Sequence, residues 1–147
     1  MSKKTKISLL VAILLSLLGS AMLGIAIQQQ SYPDTKNLNQ AYQEVIHAPT
    51  GQKTVLIFHK PGCNRCEGAK KAVRKVVKEV KQKDAKMNFV IINVNRADAQ
   101  QFLHHFSVGQ YPYLIVLAGQ QEKASFSSTQ FHIMEKNLSV ALEEKKL

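Results

Sequence analysis

The residues with the clearest chemical potential are two cysteines three positions apart, Cys63-Asn64-Arg65-Cys66, in a chain of 147 residues that has no other cysteine. A thiolate attacks a disulfide through a mixed-disulfide intermediate, which a second nearby thiol can resolve. A bridge within this motif would close a very short loop and would therefore stabilise the fold little. A domain of about 110 residues can also build a core without such a bridge. Chemistry explains the pair better than stability does.

The residues on either side of the pair predict a strand followed by a helix. Thr54 to Phe58 is a short apolar run rich in strand formers, which is typical of a strand buried on both faces. Beyond Cys66, apolar residues recur at helical spacing and basic residues occupy the opposite face. The apolar stripe consists of Ala69, Val73, Val76, Val77 and Val80.

This placement predicts different roles for the two thiols. Free N–H groups and the macrodipole at a helix N-terminus favour a negative charge, so Cys63 is expected to be the activated, attacking thiolate. Cys66 follows on the first turn and is expected to resolve the mixed disulfide. Asn64 and Arg65 are predicted to tune the pair. Arg65 adds a positive charge that Glu67 opposes, so their net effect stays open.

Six further elements follow from hydrophobic spacing and turn residues. The predicted elements are helices over 37–46, 98–106 and 129–144 and strands over 88–94, 113–117 and 123–126. Strands joined by helices are expected to run parallel, and the tight turn near Gly119 makes the last pair antiparallel. The pattern predicts an α/β fold, a mixed sheet with helices on both faces.

The N-terminal segment from Ile7 to Ile27 has no charged residue and no proline. As a helix it would span about 30 Å, the thickness of a bilayer's hydrocarbon core. Lys3, Lys4 and Lys6 precede it, so residues 1–6 are expected in the cytoplasm and everything after the segment outside the cell membrane. A cleavable signal peptide is the alternative, with Gly24-Ile25-Ala26 as a weak cleavage site. Residues 28–35 are predicted to be a linker and 36–147 the folded domain.

The formal charge of +10 includes those three lysines, which leaves +7 on the remainder. Two interpretations stay open: a well-solvated surface, or attraction to anionic lipid headgroups or cell-wall polymers. Nucleic acid is not an expected partner because no aromatic residues are interleaved with the basic ones.

Over residues 36–147 the chain resembles the thioredoxin family. The resemblance rests on the strand VLIFHKPG, the CNRC motif, the basic helix after it and the stretch VGQYPYLIVL. It implies a thioredoxin-like fold and thiol–disulfide exchange on cysteine-containing protein substrates. It also implies that Pro112 is cis, faces the cysteines and presents neighbouring backbone groups to substrate. Tyr111 either selects the substrate or fills space beside the proline.

Several positions depart from the usual family pattern. Gly62 stands where a tryptophan commonly precedes the first cysteine, and Ile57 stands where an aspartate is commonly buried. Asn64-Arg65 replaces the usual Gly-Pro. These changes argue against an all-purpose cytoplasmic reductase, and they leave oxidation, reduction and isomerisation open. No cofactor is expected, and an unidentified redox partner or a small thiol must recharge the pair.

Two other functions compete with exchange. His59, Cys63 and Cys66 could bind a metal together with His104 or His105. Metal-transfer domains are usually shorter, however, and have no reason to carry Pro112, so no metal is expected. The second alternative is a non-catalytic thioredoxin-fold module in a membrane secretion or conjugation assembly, since a fold does not determine a function.

Overall fold

The computed structural model describes residues 11–20 and 31–142. The chain divides into two compact units, Met1–Ser31 and Tyr32–Leu147. In the first unit, residues 11–20 are helical and large apolar side chains such as Leu15 and Leu17 are exposed. No helix within the described ranges is long and apolar enough to cross a membrane. The predicted membrane segment, 7–27, extends beyond the described residues at both ends.

The second unit contains the predicted elements in the predicted order. Its helices are α1 Leu38–Ile46, α2 Asn64–Lys83, α3 Gln100–His105 and α4 Phe131–Leu142, and a short 3-10 helix, Ala97–Ala99, leads into α3. Its strands are β1 Lys53–His59, β2 Asn88–Asn93, β3 Tyr113–Ala118 and β4 Gln121–Ser127. The predicted mixed sheet with helices on both faces is confirmed.

The sheet has the order β2-β1-β3-β4, and one predicted strand direction is wrong. β1 and β2 are parallel, whereas β1 and β3 are antiparallel, as are β3 and β4. A parallel β3 would require the connection from β2 to return the chain along the full sheet. α3 has only six residues, which rise about 9 Å, less than the roughly 20 Å that a six-residue strand spans. The helical part of this connection is thus too short to carry the chain back, and β3 starts at the end of the sheet where β1 and β2 finish.

Alternate residues of β1 point into two separate core layers. Val55 and Ile57 pack in the layer that also contains buried residues of α2 and α4. Leu56 and Phe58 pack in the opposite layer, with buried residues of α1 and α3. Side chains of a strand alternate between its faces, so a strand that is apolar at every position must be covered on both.

Residues 32–36, here called the N-terminal strap, lie against the outer edge of β2. The N–H of Thr35 donates to the carbonyl of Ile91 at 3.0 Å, and the N–H of Ile91 donates to Thr35 Oγ1 at 2.9 Å. Arg96 donates to the carbonyls of Thr35 and Lys36 at 2.7 and 2.8 Å. Residues 28–35 were predicted to be a linker. From Tyr32 onward this segment instead packs on the domain, because Thr35 pairs with backbone groups at the free edge of β2.

Candidate active site

A tight turn carries the chain from the end of β1 into the first turn of α2. The N–H of Cys63 donates to the carbonyl of Lys60 at 3.3 Å, and Gly62 has a φ of 76°. That left-handed conformation favours glycine because it has no Cβ. The turn thus accounts for Gly62 at the position where a tryptophan was the family expectation.

Cys63 is the N-cap of α2, as the sequence predicts, and its side chain is half-buried. The pKa of its thiol is lowered, first because the backbone N–H of Cys66 donates to it and then because the thiol of Cys66 does. The N–H and the charge of Arg65 act in the same direction, and partial burial opposes them. Donors that point at a sulfur favour its thiolate form. Cys63 is therefore the more readily ionised thiol.

Cys66 has the opposite environment, since its side chain is fully buried in the core layer with α2 and α4. Burial raises the pKa of its thiol to about 11, although the N–H of Lys60 donates to its sulfur at 3.5 Å and opposes that rise. The side chain of Cys63 and then Glu67 raise it further. Two thiols three positions apart on one helix turn thus differ in kind: Cys63 is half-buried with a lowered pKa, and Cys66 is buried with a raised pKa.

The two residues between the cysteines differ in what they contact. Asn64 is exposed and begins α2. Arg65 is half-buried, and its guanidinium donates to Ser127 Oγ at 3.1 Å, at the end of β4. Arg65 thereby holds the first turn of α2 against the sheet while its charge lowers the pKa of Cys63. Arg65 thus favours the thiolate of Cys63, while the opposing charge of Glu67 raises the pKa of Cys66.

Tyr111 and Pro112 lie at the same end of the sheet as the cysteines, the end at which β1 finishes and β3 begins. Phe58, next to the end of β1, pairs with Tyr113, the first residue of β3, so the loop before β3 adjoins the turn that leads to Cys63. The Tyr111–Pro112 peptide bond is cis. Pro112 is buried, and Tyr111 is half-buried against both core layers.

The histidines of the alternative metal site are not brought together. The Nε2 of His59 lies 2.6 Å from Asp34 Oδ1, and the Nδ1 of His105 lies 3.1 Å from the hydroxyl of Tyr42. His104 is exposed. Across residues 11–20 and 31–142, no group of three or more His, Cys, Asp or Glu side chains is placed to hold a metal ion.

Sequence reasoning missed two residues, Tyr32, which contacts the backbone of Cys66, and Asp34, which contacts His59. The hydroxyl of Tyr32 donates to the carbonyl of Cys66 at 2.8 Å, and its ring stacks on His59. His59, the last residue of β1, is only 4% exposed. An aromatic and an acidic residue flanking Pro33 in a polar stretch were the available signal. Both residues are about 30 positions from the cysteines along the chain, so the sequence did not indicate these contacts.

We compared the sequence and the fold of the chain with those of known proteins. The family model described as Thioredoxin matches residues 34–139. Thioredoxin O2 from Arabidopsis thaliana, in its oxidised state, superposes with a TM-score of 0.60 and 15% identity, covering 76% of this chain and 94% of that one. Chlamydomonas reinhardtii thioredoxin f2 gives a TM-score of 0.58 and 14% identity, covering 80% and 99%.

A third similar structure is the germline-specific thioredoxin Deadhead from Drosophila melanogaster. It gives a TM-score of 0.57 and 19% identity, covering 73% of this chain and 96% of that one. A search of curated proteins found no significant match. At these identities the structural likeness establishes the fold.

Proposed function

The chain belongs to the thioredoxin family, and on that premise we propose that it exchanges thiols and disulfides with protein substrates outside the cytoplasm, with Cys63 attacking and Cys66 resolving. The observation that carries the proposal is the contrast between the two thiols. Cys63 is half-buried with a lowered pKa, whereas Cys66 is buried with a pKa raised to about 11. An attacking thiol must be ionised and accessible, while a resolving thiol must be close and protected from other reagents.

In the reducing direction, the Cys63 thiolate attacks one sulfur of a substrate disulfide. A Cys63–substrate bond forms, and the other substrate sulfur leaves as a thiolate that takes up a proton. Cys66 then loses its proton and attacks the Cys63 sulfur, which forms the Cys63–Cys66 disulfide and releases the second substrate thiol. The substrate gains two electrons and two protons. The cysteine pair supplies both electrons and the Cys66 proton, and the other proton comes from solvent, to which Cys63 lost its own on ionising.

In the oxidising direction the same steps run in reverse. A substrate thiolate attacks Cys63 of the Cys63–Cys66 disulfide, and a second substrate thiol displaces Cys63 to leave a substrate disulfide and a reduced pair. The net direction depends on the reduction potential of the pair relative to that of its compartment. A redox partner or a small thiol restores the pair after each cycle.

We expect Cys66→Ser to accumulate a mixed disulfide through Cys63, because the attack step remains and the resolving thiol is gone. The adduct should appear on non-reducing gels as larger species that disappear with reductant, and mass spectrometry should locate the link at Cys63. The double variant Cys63→Ser/Cys66→Ser is the matched control and should give none. A non-catalytic binding module predicts no adduct, so a Cys66→Ser chain without one would contradict the proposal.

Tyr111 and Pro112 are proposed to border the substrate groove. The position of the loop before β3, next to the turn carrying Cys63, supports this role. In the Cys66→Ser background, Tyr111→Ala should slow adduct formation with protein substrates and leave the reaction with oxidised glutathione unchanged. Equal slowing with both would assign Tyr111 to packing alone.

The proposed location rests on the segment 7–27, which is uncharged and follows a lysine cluster. We propose that it anchors the chain in the cell membrane, with residues 1–6 cytoplasmic and the domain on the other side. In a bacterial host, the full-length chain should stay in membranes washed with alkaline carbonate. A membrane-impermeant maleimide should label Cys63 in intact spheroplasts. Labelling only after lysis would refute the location, and a shortened, washable chain would indicate a cleaved signal peptide.

A further inference from the structure

Three side chains outside the exchange mechanism, Tyr32, Asp34 and His59, form a cluster that reaches the backbone of Cys66 through Tyr32. The rings of Tyr32 and His59 are stacked, with centroids 3.8 Å apart and planes 7° apart. The far edge of His59, at Nε2, lies 2.6 Å from Asp34 Oδ1. The hydroxyl of Tyr32 donates to the carbonyl of Cys66 at 2.8 Å, in a buried setting. Tyr32 is thus fixed both through its ring face and through its hydroxyl.

The strap that carries Tyr32 and Asp34 is itself held by backbone groups. Its bonds to Ile91 and Arg96 fix Thr35 and Lys36 on the edge of β2. Asp34 lies immediately before this anchored part, and Tyr32 two residues further back. The position of the Tyr32 ring is therefore determined by two contacts: the strap's attachment to β2 and the stacking on His59, the last residue of β1.

The carbonyl of Cys66 belongs to the first turn of α2, the turn that sets the direction of the Cys66 thiol. Tyr32 and Cys66 belong to the same buried core layer. Ile57, at the position where the family resemblance implies a buried aspartate, is apolar and fully buried. Tyr32 lies outside α2, and its hydroxyl supplies a hydrogen bond to the backbone carbonyl of Cys66.

We propose that Tyr32 is a positioning residue for the resolving step, pinning the turn that carries Cys66, and that the Asp34–His59 pair holds Tyr32 in place. The inference rests on the proposed exchange function. In the step concerned, Cys66 loses its proton and attacks the Cys63 sulfur of a mixed disulfide. The Cys63–Cys66 bond forms as the substrate sulfur leaves and takes up a proton. Attack is fastest when the three sulfurs can align without rearranging the backbone.

The test uses Tyr32→Phe in the full chain, with oxidised glutathione as the probe. Reduced protein is mixed with the probe, acid-quenched over time, and the glutathione adduct is measured by mass spectrometry. The attack step at Cys63 depends on glutathione concentration, whereas the resolving step does not. We expect Tyr32→Phe to slow the resolving step about fivefold, the worth of one neutral hydrogen bond, and to leave the attack step unchanged.

Tyr42→Phe is the matched control. It also removes one tyrosine hydroxyl contact, that to His105, but Tyr42 packs on the core layer without the cysteines. It should change neither step. If Tyr32→Phe lowers Tm and leaves the resolving step as fast as in the unmodified chain, Tyr32 is merely structural and the inference is overturned.

A second variant, Asp34→Asn, tests the remainder of the cluster should Tyr32→Phe fail to fold. It keeps an oxygen opposite His59 and removes the negative charge. Slower resolution with unchanged attack is expected here too, and unchanged resolution would overturn the role of the Asp34–His59 pair. Failure of the unmodified chain to form any Cys63 adduct would instead refute the proposed function, so the two failures are distinguishable.

Discussion

Cys63 is expected to react with iodoacetamide at pH 7 at least about 10-fold faster than Cys66, and Cys63→Ser is expected to abolish exchange. With a pKa of about 11, Cys66 is about one part in ten thousand thiolate at pH 7. A thiol with the ordinary pKa of 9.0 is about 1% thiolate at pH 7, and the lowered pKa of Cys63 makes its fraction larger than that. The higher intrinsic nucleophilicity of a more basic thiolate reduces this advantage by about tenfold.

The pH dependence provides a second measurement on the same chain. Labelling of Cys63 should rise with pH as its thiol loses a proton, and it should level off below the pH at which an unperturbed cysteine does. In Cys63→Ser the pKa of Cys66 falls when its neighbour is removed, yet burial, the largest cause of its rise, remains. The variant should therefore label slowly and reduce no disulfide.

Cys66→Ser is the matched control for labelling. The backbone N–H of residue 66 still points at the Cys63 sulfur, so the rapid reaction should persist. Peptide mapping after a short pulse of reagent identifies the labelled residue. Equal labelling of the two cysteines in the unmodified chain, or faster labelling of Cys66, would contradict the assigned roles.

Phe102→Ala is expected to have the largest effect on stability, a loss of about 3–5 kcal/mol in the free energy of unfolding. The Phe102 side chain is fully buried. Its ring meets those of Tyr42 and Phe58 edge to face, at centroid distances of 5.1 and 6.4 Å. It also stacks on Phe106 at 6.3 Å. Removing it leaves a cavity among rings that are held by the backbone of three elements.

Such a loss is a large fraction of the roughly 5–15 kcal/mol by which native proteins are stable. Denaturant unfolding followed by circular dichroism measures it, since the chain has no tryptophan. Tm should fall by about 10 °C or more. Val140→Ala, at a side chain 65% exposed on α4, is the control and should change stability by less than about 0.5 kcal/mol. A loss below about 1 kcal/mol for Phe102→Ala would contradict the account of this core layer.

Local sequence patterns were sufficient for the central part of the fold. The apolar run of β1, the cysteine pair and the valine stripe of α2 each follow from spacing within a few residues, and the structure places Cys63 at the helix N-cap as predicted. The cis bond before Pro112 came from family resemblance, because a Tyr-Pro sequence only permits it.

Contacts between distant segments were not predictable in the same way. The antiparallel direction of β3 depends on where α3 delivers the chain, and a six-residue helix carries no local signal for that. The burial of His59 depends on Tyr32 and Asp34, which stand in a polar stretch that composition alone indicates is a linker. A pattern along the chain reports which face is apolar, but not which remote segment covers it.

The N-terminal strap also affects how the sheet meets other molecules. An uncovered edge strand offers unpaired N–H and carbonyl groups to any passing extended chain, a common start of aggregation. At one edge of this sheet, Thr35 occupies both backbone groups of Ile91. At the other edge, β4 carries Glu122 and Lys123 as exposed charges, which discourage pairing. A reagent or mutation that lifts the strap would thus expose this edge of β2 to pairing with other chains and free Tyr32, so we expect aggregation and slower resolution to occur together.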